Sequence, residues 1–331
     1  MRAGESDLPA RQPTLGTDMS TSQYSDLADR VEDAVRAYVV AKMPADASGE
    51  LAGKPFRELL HIYGNWRGRH PSARPRTVHQ SMEMLASAEA QTFSAEIAEL
   101  VRKIEAGEDL TPHLSERVGT AFLSLQERAA LPQHEREKDL DRMLADWGIH
   151  HLHLSNQLKP NGFVQRGREL LFALFSPDDA DLVGIYTHAH WSREELAPII
   201  VRNWPGVGPF YKLNYAQGPT RVPTEDERKL ARRLGVSSGF VEVDGEWYGV
   251  LGQSLEGMPS PHAQPVMALG EELRRLREDP EGQLTAFAAA LDAKAGHPVA
   301  GDWLPYVEAD IVGLLRGDDA RVQLGVLPGE T

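Results

Sequence analysis

Trp147-Gly148-Ile149-His150-His151-Leu152-His153-Leu154 is where the chain changes its period. Before Gly148 apolar residues recur three and four apart. After it they alternate, so Leu152 and Leu154 share one face of a predicted strand while His151 and His153 share the other. A turn at Pro160-Asn161-Gly162 precedes Glu169-Leu170-Leu171-Phe172-Ala173-Leu174-Phe175, whose unbroken apolar run predicts a buried central strand. Past Pro177-Asp178-Asp179, a third strand is expected over Leu182 to His190. Val183, Ile185, Ala189 and Trp191 would point one way, and Tyr186, His188 and His190 the other. Ser192-Arg193-Glu194-Glu195 then forms a capping box for a helix carrying Leu196, Ile199 and Ile200. Loops this short imply an antiparallel meander with helices packed on its apolar face.

Upstream, helical stripes are expected at Leu27, Val31, Val35, Tyr38 and Val39, at Phe56, Leu59, Leu60 and Tyr63, and at Ile97, Leu100, Val101 and Ile104. Downstream, Asp244-Gly245 signals a hairpin that would extend the same sheet, and two helices are expected near Ala263 to Arg277 and Gln283 to Lys294. The tail after Gly317 reads as frayed. The expected class is α+β: a helical N-terminal region, a small antiparallel sheet with flanking helices, and a helical C-terminal extension. The ranges are a disordered lead over 1–22, a helical region over 23–140, the sheet unit over 141–255 and the extension over 256–331.

Composition bounds the chemistry. The 331 residues carry a net charge of -14, which argues against wholesale wrapping of a polyphosphate. The absence of cysteine excludes disulfides, thiolate nucleophiles and Cys-ligated metals. No apolar run approaches the roughly 20 residues that span a bilayer, and the polar start lacks a signal-type apolar core, so a cytoplasmic protein with no membrane partner is expected.

Five of the 12 histidines, His150, His151, His153, His188 and His190, lie in one short stretch. If the two His-x-His strands were neighbours, His151, His153, His188 and His190 would converge. Imidazoles titrating near neutrality can then serve as base and acid in metal-independent RNA cleavage, with Arg168 and Arg166 on the phosphate. The alternative is a His-ligated zinc or manganese hydrolase, for which Asp146 and Asp181 are the nearest carboxylates. A third reading is a noncatalytic protein-interaction module. Between Lys54 and His79, six cations face the single acid Glu58, and Arg67, Arg69, Arg74 and Arg76 with Trp66 would form a nucleic-acid track.

The succession His-Leu-His-Leu, Arg168-Glu169-Leu170-Leu171-Phe172-Ala173 and Val183-Gly184-Ile185-Tyr186-Thr187-His188, followed by a helix, resembles the sheet core of RelE/ParE-like toxins over residues 147–204. That resemblance implies ribonuclease-type toxicity or gyrase poisoning, a phage-defence setting and a protein antitoxin as partner. Those toxins are short and basic, whereas this chain is long and acidic. The string Trp147 to Leu154 also resembles one in uncharacterised bacterial proteins, a likeness that carries no function.

Overall fold

The structure, a computed structural model, describes residues 26–44, 49–120, 123, 127, 130–132, 141–187, 195–214, 221, 223–233, 239–252, 260–317 and 320–328. It is an α+β fold. Helices α1 (Leu27–Lys42) and α2 (Phe56–Arg69) lead into strand β1 (Thr77–Gln80). Short helices α3 (Met82–Leu85) and α4 (Ala88–Thr92) follow, then the longer α5 (Ser94–Ala106). Helix α6 (Arg142–Trp147) precedes β2 (His150–His153), β3 (Glu169–Phe175), β4 (Asp179–Thr187) and helix α7 (Leu196–Asn203).

The central sheet has the order β1-β4-β3-β2. The expected meander is its antiparallel core, β2 on β3 and β3 on β4, while β1 adds a parallel edge from within the helical region. Both faces of the sheet are covered. Leu170, Phe172, Leu174 and Val183 pack against Leu196, Ile199 and Ile200 of α7. Leu152, Leu171, Ala173, Leu182 and Ile185 pack against Ile97, Leu100 and Ile104 of α5. A bulge in β4, between the pairs Phe172↔Gly184 and Ala173↔Leu182, places Val183 and Ile185 in different cores instead of on one side.

The Asp244-Gly245 hairpin forms, joining β6 (Phe240–Val243) to β7 (Glu246–Val250), but it does not extend the central sheet. With β5 (Phe210–Lys212) it makes a separate three-stranded sheet of order β5-β7-β6, and helix α8 (Glu225–Arg233) lies between β5 and β6 in the chain. Its Val241, Val243 and Val250 roof the α7 side of the core.

Helices α9 (Ser260–Glu278) and α10 (Pro280–Ala295) fall where the sequence places them. The expected fraying does not occur: β8 (Trp303–Glu308), β9 (Ile311–Arg316) and β10 (Ala320–Val326) form an antiparallel meander. Val312, Leu314 and Leu324 of that meander bury with Val31, Val35 and Val39 of α1, Leu59 and Leu60 of α2, and Leu269 and Leu273 of α9. The packing thus cuts across the ranges read from sequence, because the first helices share a core with the last strands.

Candidate active site

The histidine face is not a solvated surface. His151 and His153 pair with Phe172 and Leu170, residues of the α7-side core, so that core covers them. His153 is 1% exposed. The Nδ1 of His151 lies 3.1 Å from Asp141, whose carboxylate also caps α6 by accepting from the Leu144 N–H. The neighbour relation expected of the two His-x-His strands also fails, because β3 lies between β2 and β4. His188 and His190 lie outside the described residues. Arg166 and Arg168 are exposed on the segment entering β3, and Arg166 donates to the Ser115 hydroxyl at 3.2 Å.

The basic stretch is largely spent on structure. Arg76 is 4% exposed; it donates to the carbonyls of Ser176, Ser72 and Arg74 and lies over the Phe175 ring. Arg69 is buried, Arg74 pairs with Asp178 at 2.9 Å, and Lys54 pairs with Glu127. Trp66 lies against Tyr63 and His70, 6.0 and 4.6 Å between ring centres, on the margin of the α1–α2 core. A continuous nucleic-acid track through Arg67, Arg69, Arg74, Arg76 and Trp66 is therefore not formed, because the guanidinium groups of Arg69 and Arg76 satisfy backbone carbonyls inside the protein.

A different grouping does form. Where the β3–β4 turn meets the C-terminal end of α2, helix α6 and the loops at 207–209 and 251–252, the chain encloses a cavity of about 180 Å³. Three elements deliver polar groups to its wall: α6 supplies Asp146, β2 supplies His150 and β4 supplies Asp181, with Arg67 and His70 added from the end of α2. Gly148, at φ 67°, ends α6 in the left-handed conformation and lets the chain turn at once into β2, which sets His150 beside α6. His150 meets Phe175 edge-on, 5.3 Å between ring centres.

Asp181 is the unusual member. It is 3% exposed and, among the described residues, its carboxyl has no hydrogen-bond or ion-pair partner. Burial pushes its pKa up to about 6; the nearby His79 opposes that shift and Asp179 adds to it. His79 itself holds Asp179, Nε2 to Oδ1, at 2.8 Å. His70 donates from Nδ1 to the Trp66 carbonyl at 2.7 Å, and burial above all lowers its pKa, favouring the neutral ring.

The sequence points to Asp146 and Asp181 only as companions to a metal, since neither has diagnostic spacing. It does not point to His70, whose sole signal is its place at the end of a basic helix. Among the described residues no three His, Asp or Glu side chains are grouped as a metal site would need. Among the described residues, too, no helix is long and apolar enough to cross a membrane. Comparison with protein-family models, curated proteins and solved structures found no match to the chain.

Proposed function

We propose that the chain is a metal-independent acid–base enzyme whose reaction takes place in this cavity, with Asp181 and His150 as the proton-transfer groups. The observation that carries this reading is the Asp181 carboxyl, buried at 3% exposure on the cavity wall with no partner among the described residues. Such a group costs folding energy, and a cost of that kind is characteristic of sites kept for chemistry. With its pKa pushed up to about 6, both protonation states are accessible near neutrality, as general acid–base catalysis requires.

RNA is the substrate we propose. Cleavage by the 2′-hydroxyl needs a base for its proton, an acid for the leaving oxygen and a cation for the phosphate, with no metal. Arg67 would supply the cation at the cavity wall, and the exposed Arg166 and Arg168 would hold flanking phosphates. A toxin-like or phage-defence role with a neutralising protein partner belongs to the same proposal.

The test is cleavage of single-stranded RNA by the full chain in EDTA, with DNA of the same sequence as control. Asp181→Asn is expected to lower the rate about 10²- to 10⁴-fold while the protein stays folded. Wild-type rates in both Asp181→Asn and His150→Gln would overturn the assignment. Activity that returns only with added zinc or manganese would favour the metal hydrolase instead.

A further inference from the structure

His113 stands apart from the cavity and belongs to no reading above. It closes the 3-10 turn Thr111–His113, is 0% exposed, and bridges two elements. Its Nδ1 lies 3.0 Å from the carbonyl oxygen of His153 on β2, and its Nε2 lies 2.9 Å from Nζ of Lys103 on α5. A carbonyl only accepts, so Nδ1 must carry the hydrogen; an ammonium only donates, so Nε2 must present its lone pair. One tautomer of the neutral ring satisfies both ends, and the protonated ring satisfies neither the lysine nor the buried site.

We propose that His113 is an acid-released clasp that ties α5 to the edge strand β2 at neutral pH and lets go when Nε2 takes a proton. Protonation would remove the acceptor of Lys103 and set two cations 2.9 Å apart, one of them on a ring that is 0% exposed. The charged groups acting on the ring are Lys103 and Glu99, both from α5; β2 contributes the His153 carbonyl, and the remaining turn residues, Thr111 and Pro112, carry no charge. Glu99 offsets the charge only in part: it lies 4.0 Å from the Lys103 ammonium, and Arg102 also holds it with two hydrogen bonds, at 2.8 and 3.0 Å. Burial, foremost, and then Lys103 lower the pKa of His113, against the raising effect of the His153 carbonyl and Glu99.

The sign follows from linkage. A histidine whose folded pKa is lowered leaves stability untouched above the ordinary value near 6.5, and stability falls as the pH drops below it, because the opened form takes the proton first. His150 sits at the other end of the same four-residue strand, so release would loosen one wall of the cavity. That consequence rests on the function proposed above, whereas the clasp does not, and its test uses no substrate.

The His113 ring is followed by NMR in the full chain from about pH 8 to about pH 5, with hydrogen exchange of the β2 amides over the same range. The expected midpoint is below 6.5, and the opening constant of β2, corrected for intrinsic exchange, should rise up to about tenfold per pH unit below that value. His113→Gln keeps a donor and an acceptor but cannot titrate, so it should abolish the acid dependence. Lys103→Met should raise the midpoint of His113. A wild-type midpoint at or above 6.5, or equal acid-dependent opening in His113→Gln, overturns the clasp. Should that variant fail to fold, an unchanged midpoint in Lys103→Met overturns it.

Discussion

At the scale of single residues, alternation identifies which side chains share a face but not what covers that face. Leu152 and His153 illustrate the point: alternation separates them correctly, yet both are buried, at 0% and 1% exposure, because the sheet has a core on each side. Leu152→Ala should therefore cost roughly 2 to 5 kcal/mol, read from denaturant midpoints. His153→Ala should also destabilise by more than about 1 kcal/mol, whereas a solvated histidine would change stability by less than about 0.5. Asp181 carries the complementary prediction. A carboxyl whose folded pKa is raised binds more protons folded than unfolded between its ordinary value near 4 and about 6, so it lowers stability as the pH rises through that window. Asp181→Asn should thus stabilise the fold at pH 7.5 and not at pH 4, by on the order of 1 kcal/mol once water in the cavity is allowed for. Thermal melts at the two pH values measure it, and a variant less stable than wild type at pH 7.5 would refute the buried, unpartnered state of this carboxyl.

At the scale of elements, the parts readable from sequence are those whose signal is local. The apolar run of β3, the stripe of α1 and the Asp244-Gly245 turn, with φ of 54° and 79°, needed no tertiary information. Strand β1 was invisible because Thr77-Val78-His79-Gln80 is short and mostly exposed, and it exists through parallel pairing with a strand a hundred residues away. The β8–β9 hairpin was missed for another reason: its turn, Ala309-Asp310, has φ of 48° and 65° without a glycine in either place. A non-glycine residue in that conformation costs roughly 1 to 2 kcal/mol, so Ala309→Gly should stabilise the protein by up to about that amount, visible as a higher Tm. Glycine is required elsewhere. Tyr306 lies across Gly313, and Tyr211 across Gly249, each opposite its partner in an antiparallel pair. A Cβ at Gly313 would come within 2.3 Å of the Val322 carbonyl oxygen, which the sheet holds in place. Gly313→Ala should cost roughly 1 to 3 kcal/mol by overpacking, the opposite sign to the change at Ala309.

At the scale of the whole molecule, the site depends on closure of the chain upon itself. Helix α2 carries Tyr63 toward the C-terminal meander and, one turn on, Arg67 to the cavity wall, so what fixes the middle of the helix positions its C-terminal end. Asp310 provides the fixing: its carboxylate accepts the hydroxyls of Tyr38 at 3.1 Å and Tyr63 at 2.9 Å, while its own N–H donates to the Tyr38 oxygen. Burial raises the pKa of both tyrosines, and the neighbouring Asp310 charge adds to it, which keeps them as donors at any neutral pH. Arg277 of α9 adds a second tie through Asp29 and Glu32 of α1, but these groups are more exposed and should contribute little. Asp310→Ala removes the acceptor shared by two tyrosines, and with hydrogen bonds to charged groups worth about 1.5 to 3 kcal/mol each, a loss of roughly 2 to 4 kcal/mol is expected. In a cycle with Tyr63→Phe, the double variant should be less destabilised than the sum of the singles, since the bond can be lost only once. Strict additivity would show that the carboxylate and the tyrosine do not act together, and that Asp310 does not hold α2 through Tyr63.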